Sequence, residues 1–420
     1  NILRLFLCSN ENSRYYTPIL LKNKSISIIS ENDNNTRTEI FSTIMKSFDD
    51  LDNKILHVYG FKGKQCDEIK NSGRKKFNYA LSNMLNENIY NAYDLTSYLL
   101  GSIMGRWDIR FATGEKTPPE LPDPFAPLPV CPPGMLQNKE GLPAEPKDVP
   151  SSYPLRITWS GIIVDDESHK EDIVKRIREA IEVIWKEKSS DIEHEACEIL
   201  GVKSLRDYFQ NPNNFFAQHL KRYSKSRRQA PIYWPLSTSS GSYTLWLYYH
   251  RLTDQTLFTC VNDFVEPKIK QVNETVESLK QKNNRNKQEE NELEKLSNLF
   301  AELKDFREEL LRLAKFWKPN LNDGVQITAA PLWKLFKLRA WQKTLKETWE
   351  KLEKGDYDWA HLAYSIWPDR VSAKCKDDKS LAIAHDLEHL YLETPAKAKK
   401  KRTKKQVTAD FDEDMPGDDE

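Results

Sequence analysis

Between residues 117 and 150 the chain places half of its 22 prolines, and no other feature limits the fold as strongly. Proline has no amide donor and fixes φ at about −65°, so this segment is neither helix nor central strand. It reads as an extended strap or linker. The interleaved Leu121, Phe125, Leu128, Val130 and Met135 lay it along a surface and not free in solvent. An SH3-type ligand is the other reading of such a run. On either reading the strap parts an N-terminal segment, 1–116, from the remainder. At 420 residues there is material for two or three domains.

The two sides pattern differently. Before the strap, Ile44, Phe48, Leu51 and Ile55 recur with helical spacing up to Gly60, and a second helix is expected from Ala92 to Met104. It runs into Gly105-Arg106-Trp107-Asp108, where Arg106 and Asp108 form either a local ion pair or a functional turn. After the strap, Leu155 to Val164 predicts a strand. Asp165 and Asp166 are then placed to cap a helix built on Ile173, Ile177, Ile181 and Ile184, or, as paired carboxylates, to bind Mg²⁺. A helix from Asp191 to Leu200 should stop at Gly201, with Ser204 capping the helix that carries the basic residues around Lys221. Farther on, Val265, Ile269, Val272, Val276 and Leu279 repeat at 4-3-4-3 spacing. Leu293, Leu296, Phe300, Leu303, Phe306, Leu310 and Leu313 resume the pattern after a polar gap, which predicts an antiparallel helical hairpin. Pro319 to Gly324 is a turn, and Val325 to Thr328 is expected as a strand. Helices are expected around 332–338, 341–352, 358–366 and 381–392. The tail from Pro395 has a basic run and then an acidic one, almost no apolar residue, and is expected to be disordered.

The reading is an α+β, mainly helical fold. Its parts are 1–116, the strap 117–150, an α+β core 151–254, a helical hairpin 255–318, a Trp-rich helical region 319–393 and the tail 394–420.

The most distinctive chemistry lies in residues 219–251. Lys221, Lys225 and Arg228 follow i, i+4, i+7, so on one helix they form a cationic stripe beside an apolar stripe of Phe216, Leu220 and Tyr223. After Pro231, Ile232-Tyr233-Trp234 and Tyr243 to Tyr249 predict an aromatic hairpin turning at Gly241. Cations neutralise phosphates and aromatic rings stack on bases. The candidate DNA-contacting residues are therefore Lys221, Arg222, Tyr223, Lys225, Arg227, Arg228, Tyr233, Trp234 and Tyr243. The competing reading of the same residues is a packed β-core beside a solvated basic helix.

Global charge does not decide between them: 63 basic residues balance 63 acidic ones, so any nucleic-acid binding must come from local patches. The six cysteines are scattered without Cys-x-x-Cys spacing, which predicts a reducing compartment. No apolar run approaches the roughly 18 residues of a membrane span and no signal peptide is visible, so a cytoplasmic protein without a membrane partner is expected. Catalytic signatures are missing. Asn211-Pro212-Asn213-Asn214-Phe215 departs from the Asn-Pro-Pro-Tyr/Phe loop of amino methyltransferases at its third residue and reads as a helix break. His385 and His389, one turn apart, have no third ligand and predict no metal site. No Gly-x-Gly-x-x-Gly, Walker loop or Gly-x-Ser-x-Gly occurs.

Several segments in a fixed order carry a family likeness: Gly105 to Arg110, Leu121 to Pro129, Cys197-Glu198-Ile199-Leu200-Gly201, Tyr223 to Trp234, Asn320 to Val325, and Gly355 to Leu362. Together they resemble the C-terminal half of adenine-specific DNA methyltransferases of the PglX type, from BREX phage-defence systems, and of related restriction-modification methylases. The resemblance spans roughly residues 40–393 and includes Leu51 to Phe61. It implies a protein that transfers methyl from S-adenosylmethionine to the exocyclic amine of a flipped adenine. The cofactor and catalytic motifs of that family are expected before Asn1, in a longer polypeptide. This chain alone is then expected to be inactive and without a cofactor. Its implied partners are double-stranded DNA, an N-terminal methylase domain and other defence subunits. An interaction scaffold that docks such subunits through the helical hairpin is the alternative.

Overall fold

The amphipathic patterns above settle into helices wrapped on a small sheet in a computed structural model, which describes residues 88–118, 129–225, 228–354 and 368–391. The N-terminal helix pattern, the core of the strap, the 358–366 helix and the charged tail lie outside the described residues. The described part is mainly helical, with one three-stranded antiparallel sheet.

Helix α1 (Asn88–Ile103) is apolar almost all round, as a central helix must be: Tyr93, Leu95, Tyr98, Leu99, Leu100 and Ile103 are all buried. Its Thr96 and Ser102 hydroxyls donate back to the Tyr93 and Tyr98 carbonyls, so no polar atom of theirs is left over. Gly101 is required: a Cβ there would run into Trp107, which folds back on the helix. The strap residues that follow 129 lie along this turn, with Leu136 N–H donating to Arg106 O and Asp108 N–H to Gly134 O.

The expected strand 155–164 shortens to β1 (Ile162–Val164). Thr158 N–H is drawn to Ile103 O and Gly161 turns with positive φ, so the segment before β1 cannot run extended. Helix α2 (Ile173–Trp185) buries Ile173, Ile177, Ile181 and Ile184 as the spacing predicts. Its cap is Asp172, which accepts from Lys175 N–H, and not Asp165 or Asp166. Helix α3 (Ser189–Leu200) stops at left-handed Gly201. Ser204 caps a short α4 (Leu205–Gln210), and only after the Asn211–Asn214 break does α5 (Phe215–Arg222) begin.

Beyond α5 lie a two-stranded ribbon, β2 (Ser224–Lys225) with β3 (Arg228–Gln229), and then β4 (Tyr233–Ser237) and β5 (Thr244–Tyr248). The larger sheet has the order β1-β5-β4. Helices α6 (Glu266–Gln281) and α7 (Lys287–Ala314) pack on each other through Ile269, Val272, Val276 and Leu303, Phe306, Leu310. Glu266 at the start of α6 meets Arg307 far along α7, and Asn286 with Glu289 forms the capping box that starts α7.

The strand expected at 325–328 is instead a turn of helix, Val325–Ala329, continuing as 3-10 turns to Leu335. Gly324 turns the chain at φ 86°, Thr328 Oγ1 donates to Gly324 O, and the indole N–H of Trp317 donates to Thr328 O at 2.9 Å. Burial overrides the β-preference of Val, Ile and Thr. Helix α8 (Arg339–Lys354) follows. A helix that the spacing did not predict, α9 (Pro368–Cys375), comes next, and the single helix expected at 381–392 is instead α10 (Lys379–Ala384), broken by positive φ at Asp386 before a 3-10 turn at Glu388–Leu390. His385 and His389 therefore do not share a helical face.

Candidate nucleic-acid interface

Helix α5 is set by what it buries. Phe215, Phe216, His219 and Leu220 face the core, and His219 is its hub. Its Nε2 accepts from the N–H groups of Ile232 and Tyr233, at 2.9 and 3.2 Å, and its Nδ1 lies 3.2 Å from Tyr93 Oη. A ring nitrogen accepting two amides carries no proton, so the neutral tautomer protonated on Nδ1 is the one that fits. Burial, reinforced by the charges of Arg106 and Arg222, holds this imidazole well below its usual pKa. Helix α5 is thereby fastened both to α1 and to the first residues of β4.

The helix ends at Arg222. Ser224 Oγ donates to Leu220 O, taking the carbonyl that a continuing helix would use. The chain then forms the ribbon, with Lys225 opposite Arg228, Ser224 opposite Gln229, and Ala230 N–H closing onto Tyr223 O. This corrects the helical stripe: Lys221 is on α5, while Lys225 and Arg228 are on paired strands. Lys221 is exposed. Arg227, between the strands, lies outside the described residues.

Arg222 and Tyr223 fasten the base of the ribbon. Arg222 pairs with Asp94 of α1 and lies 5.2 Å from the Tyr93 ring centre. Tyr223 Oη accepts from Arg106, whose guanidinium sits 4.2 Å over Trp107. Asp108 takes no part in this and no local pair with Arg106 forms; it is held by Arg110 at 2.8 Å and Lys116 at 3.2 Å. Burial raises the Asp108 pKa, but those two cations outweigh it and keep the carboxyl below its usual value.

The three aromatic candidates are core residues. Tyr233, Trp234 and Tyr243 are 0, 0 and 2% exposed. The Trp234 indole N–H donates to Pro231 O at 2.7 Å and Tyr243 Oη to Phe264 O at 3.1 Å. None can stack on a base while the sheet is intact, which corrects their assignment. The signal was present in the sequence: Tyr243 to Tyr249 lacks period-2 alternation, and an unbroken run of this kind marks a strand covered on both faces.

The residue missed by sequence reasoning is Arg106 as an anchor of the ribbon, 117 positions from Tyr223; only folding reveals it. The acidic stretch after β1 is also used up structurally. Asp165 and Asp172 both hold Arg206, and Asp166 holds Lys268 at 2.8 Å. Among the described residues no cluster of three or more His, Cys, Asp or Glu can hold a metal. S-adenosylmethionine does not fit this connection either: from Asp165 to Asp172 it contains no glycine to let a cofactor approach the backbone. No helix among the described residues is long and apolar enough to cross a membrane. No family model matches the chain, and no curated protein matches it.

Proposed function

We propose that this chain is the DNA-recognition and accessory part of a site-specific adenine-N6 DNA methyltransferase of a phage-defence or restriction-modification system. The ribbon 224–229 is its DNA-facing element. The observation that carries the reading is the short antiparallel ribbon with Lys225 and Arg228 in register, held at its base by Arg106, Arg222 and His219. Two-stranded ribbons are of a size to enter a DNA groove, and cations there release condensed counterions. The sequence likeness supplies the reaction class. The methyl donor and the chemistry on adenine belong to a methylase domain of the same protein, and this chain contributes orientation on the duplex.

Titrating the full chain onto duplex DNA across salt concentrations tests the reading. Binding should weaken as salt rises, with a slope of about −0.9 per neutralised phosphate. Absence of duplex binding at low salt would transfer the function to the scaffold alternative, with the α6–α7 pair as the docking element.

A further inference from the structure

A second cluster of cations and aromatic rings lies outside the ribbon, where the end of α7 and the 3-10 segment before α8 meet α8. Phe316, Trp333 and Trp349 are half-buried there and line a cleft of about 320 Å³. These three rings stand apart from the fully buried indoles of the core, because each keeps part of its surface on the outside. Phe316 and Trp349 lie 6.3 Å apart, inclined by 31°. The ammonium groups of Lys346 and Lys334 reach over Trp333 at 5.3 and 5.9 Å. Lys346 is 52% exposed, and a long flexible side chain of this kind gives way to a flat ligand. Glu350 and Glu353 line the same cleft, Glu350 lying 3.8 Å from Lys346. Arg312 is already committed to Glu309 through two bonds.

We propose that this cleft binds a single unpaired nucleotide, its base stacked on the indoles and its phosphate met by Lys334 and Lys346. The volume is at the lower end for ligand sites, which admits a nucleotide and excludes a duplex. Ring faces supply stacking without sequence preference. The two carboxylates add a preference, because they accept from an exocyclic amine, which adenine and cytosine have and thymine lacks. The site rests on the DNA-binding reading only for the source of the nucleotide, an unpaired base within a bound strand. Its own chemistry is independent of the ribbon.

The test uses the full chain and dye-labelled pentadeoxyadenylate and pentathymidylate, read by fluorescence anisotropy, with free dAMP as competitor. The adenine pentamer should bind more tightly than the thymine one. Trp333→Ala should weaken it between about fivefold and a hundredfold. The exposed change Lys334→Glu, which does not threaten folding, should weaken it as well. Glu350→Ala with Glu353→Ala, which removes both acceptors, should erase the preference for adenine. Competition by dAMP as strong as by the pentamer assigns the cleft to free nucleotide; competition by the pentamer alone assigns it to a strand. Lys225→Ala with Arg228→Ala should leave pentamer binding intact while weakening duplex binding, so the two sites fail separately. Failure of both pentamers to bind, or equal binding by wild type and the folded Trp333 and Lys334 variants, would overturn the proposal.

Discussion

Two antiparallel pairs, β2–β3 and β4–β5, follow each other within 25 residues and differ in length and in the side chains they carry. Both pair in simple register. The strands of β4–β5 are five residues long and buried on both faces, with Trp246 packed against Phe209, Phe215 and Phe216. The strands of β2–β3 are two residues long and carry Lys225 and Arg228. Pairing sets the geometry of a hairpin, but the surfaces that cover it set its use. Cationic and aromatic character that adjoin in sequence are thus separated in the fold, the rings to the core and the ribbon cations to the other pair.

The largest effect that sharpens this contrast comes from the covered pair. Trp234→Ala should destabilise the protein by about 3–5 kcal/mol in urea unfolding, and DNA binding should fall only as the folded fraction falls. Loss of binding in a fully folded Trp234 variant would return that ring to the interface. A smaller effect is expected where the ribbon is fastened. Arg222→Ala removes the ion pair to Asp94 and the contact with the Tyr93 ring and should cost about 1–2 kcal/mol. Affinity should drop with the salt slope unchanged, because this guanidinium is already paired; a slope shallower by one unit would mark it as a phosphate contact.

The effects of pH run in opposite directions. His219 has its folded pKa depressed, so below about 6.5 the unfolded chain takes up a proton that the folded one refuses. The stability it contributes is full above about 6.5 and declines as pH falls. His219→Gln should flatten that decline. Asp323 is raised by burial to about 7, so its contribution is present at acid pH and is lost as pH rises from about 4 towards 7. Asp323→Asn should raise the melting temperature at pH 8 and leave it nearly unchanged at pH 4. An unaltered melting temperature at both pH values would place the Asp323 carboxyl in contact with water.

Helices with strong 3.6 periodicity were legible in the sequence: Ile173, Ile177, Ile181 and Ile184 define a buried face by spacing alone. What was not legible depended on partners distant in sequence. The end of α5 rests on Ser224 turning back to Leu220 O, and the seat of the ribbon rests on Arg106 and Asp94. Val325 to Thr328 carries β-favouring residues yet folds as helix, because Trp317 and the Gly324 turn outweigh local preference. For the candidate site, Lys225 and Arg228 were expected on one helix with Lys221 and lie instead on paired strands. The aromatic residues were singled out for stacking, although their continuous apolar run marked a two-sided core.

The most direct measurement is the salt dependence of duplex binding by Lys225→Ala/Arg228→Ala compared with wild type. With unchanged unfolding stability, the variant should bind all sequences more weakly and lose about two units of the slope of log K against log salt. A folded variant with unchanged affinity and unchanged slope would contradict the ribbon as the DNA-facing element.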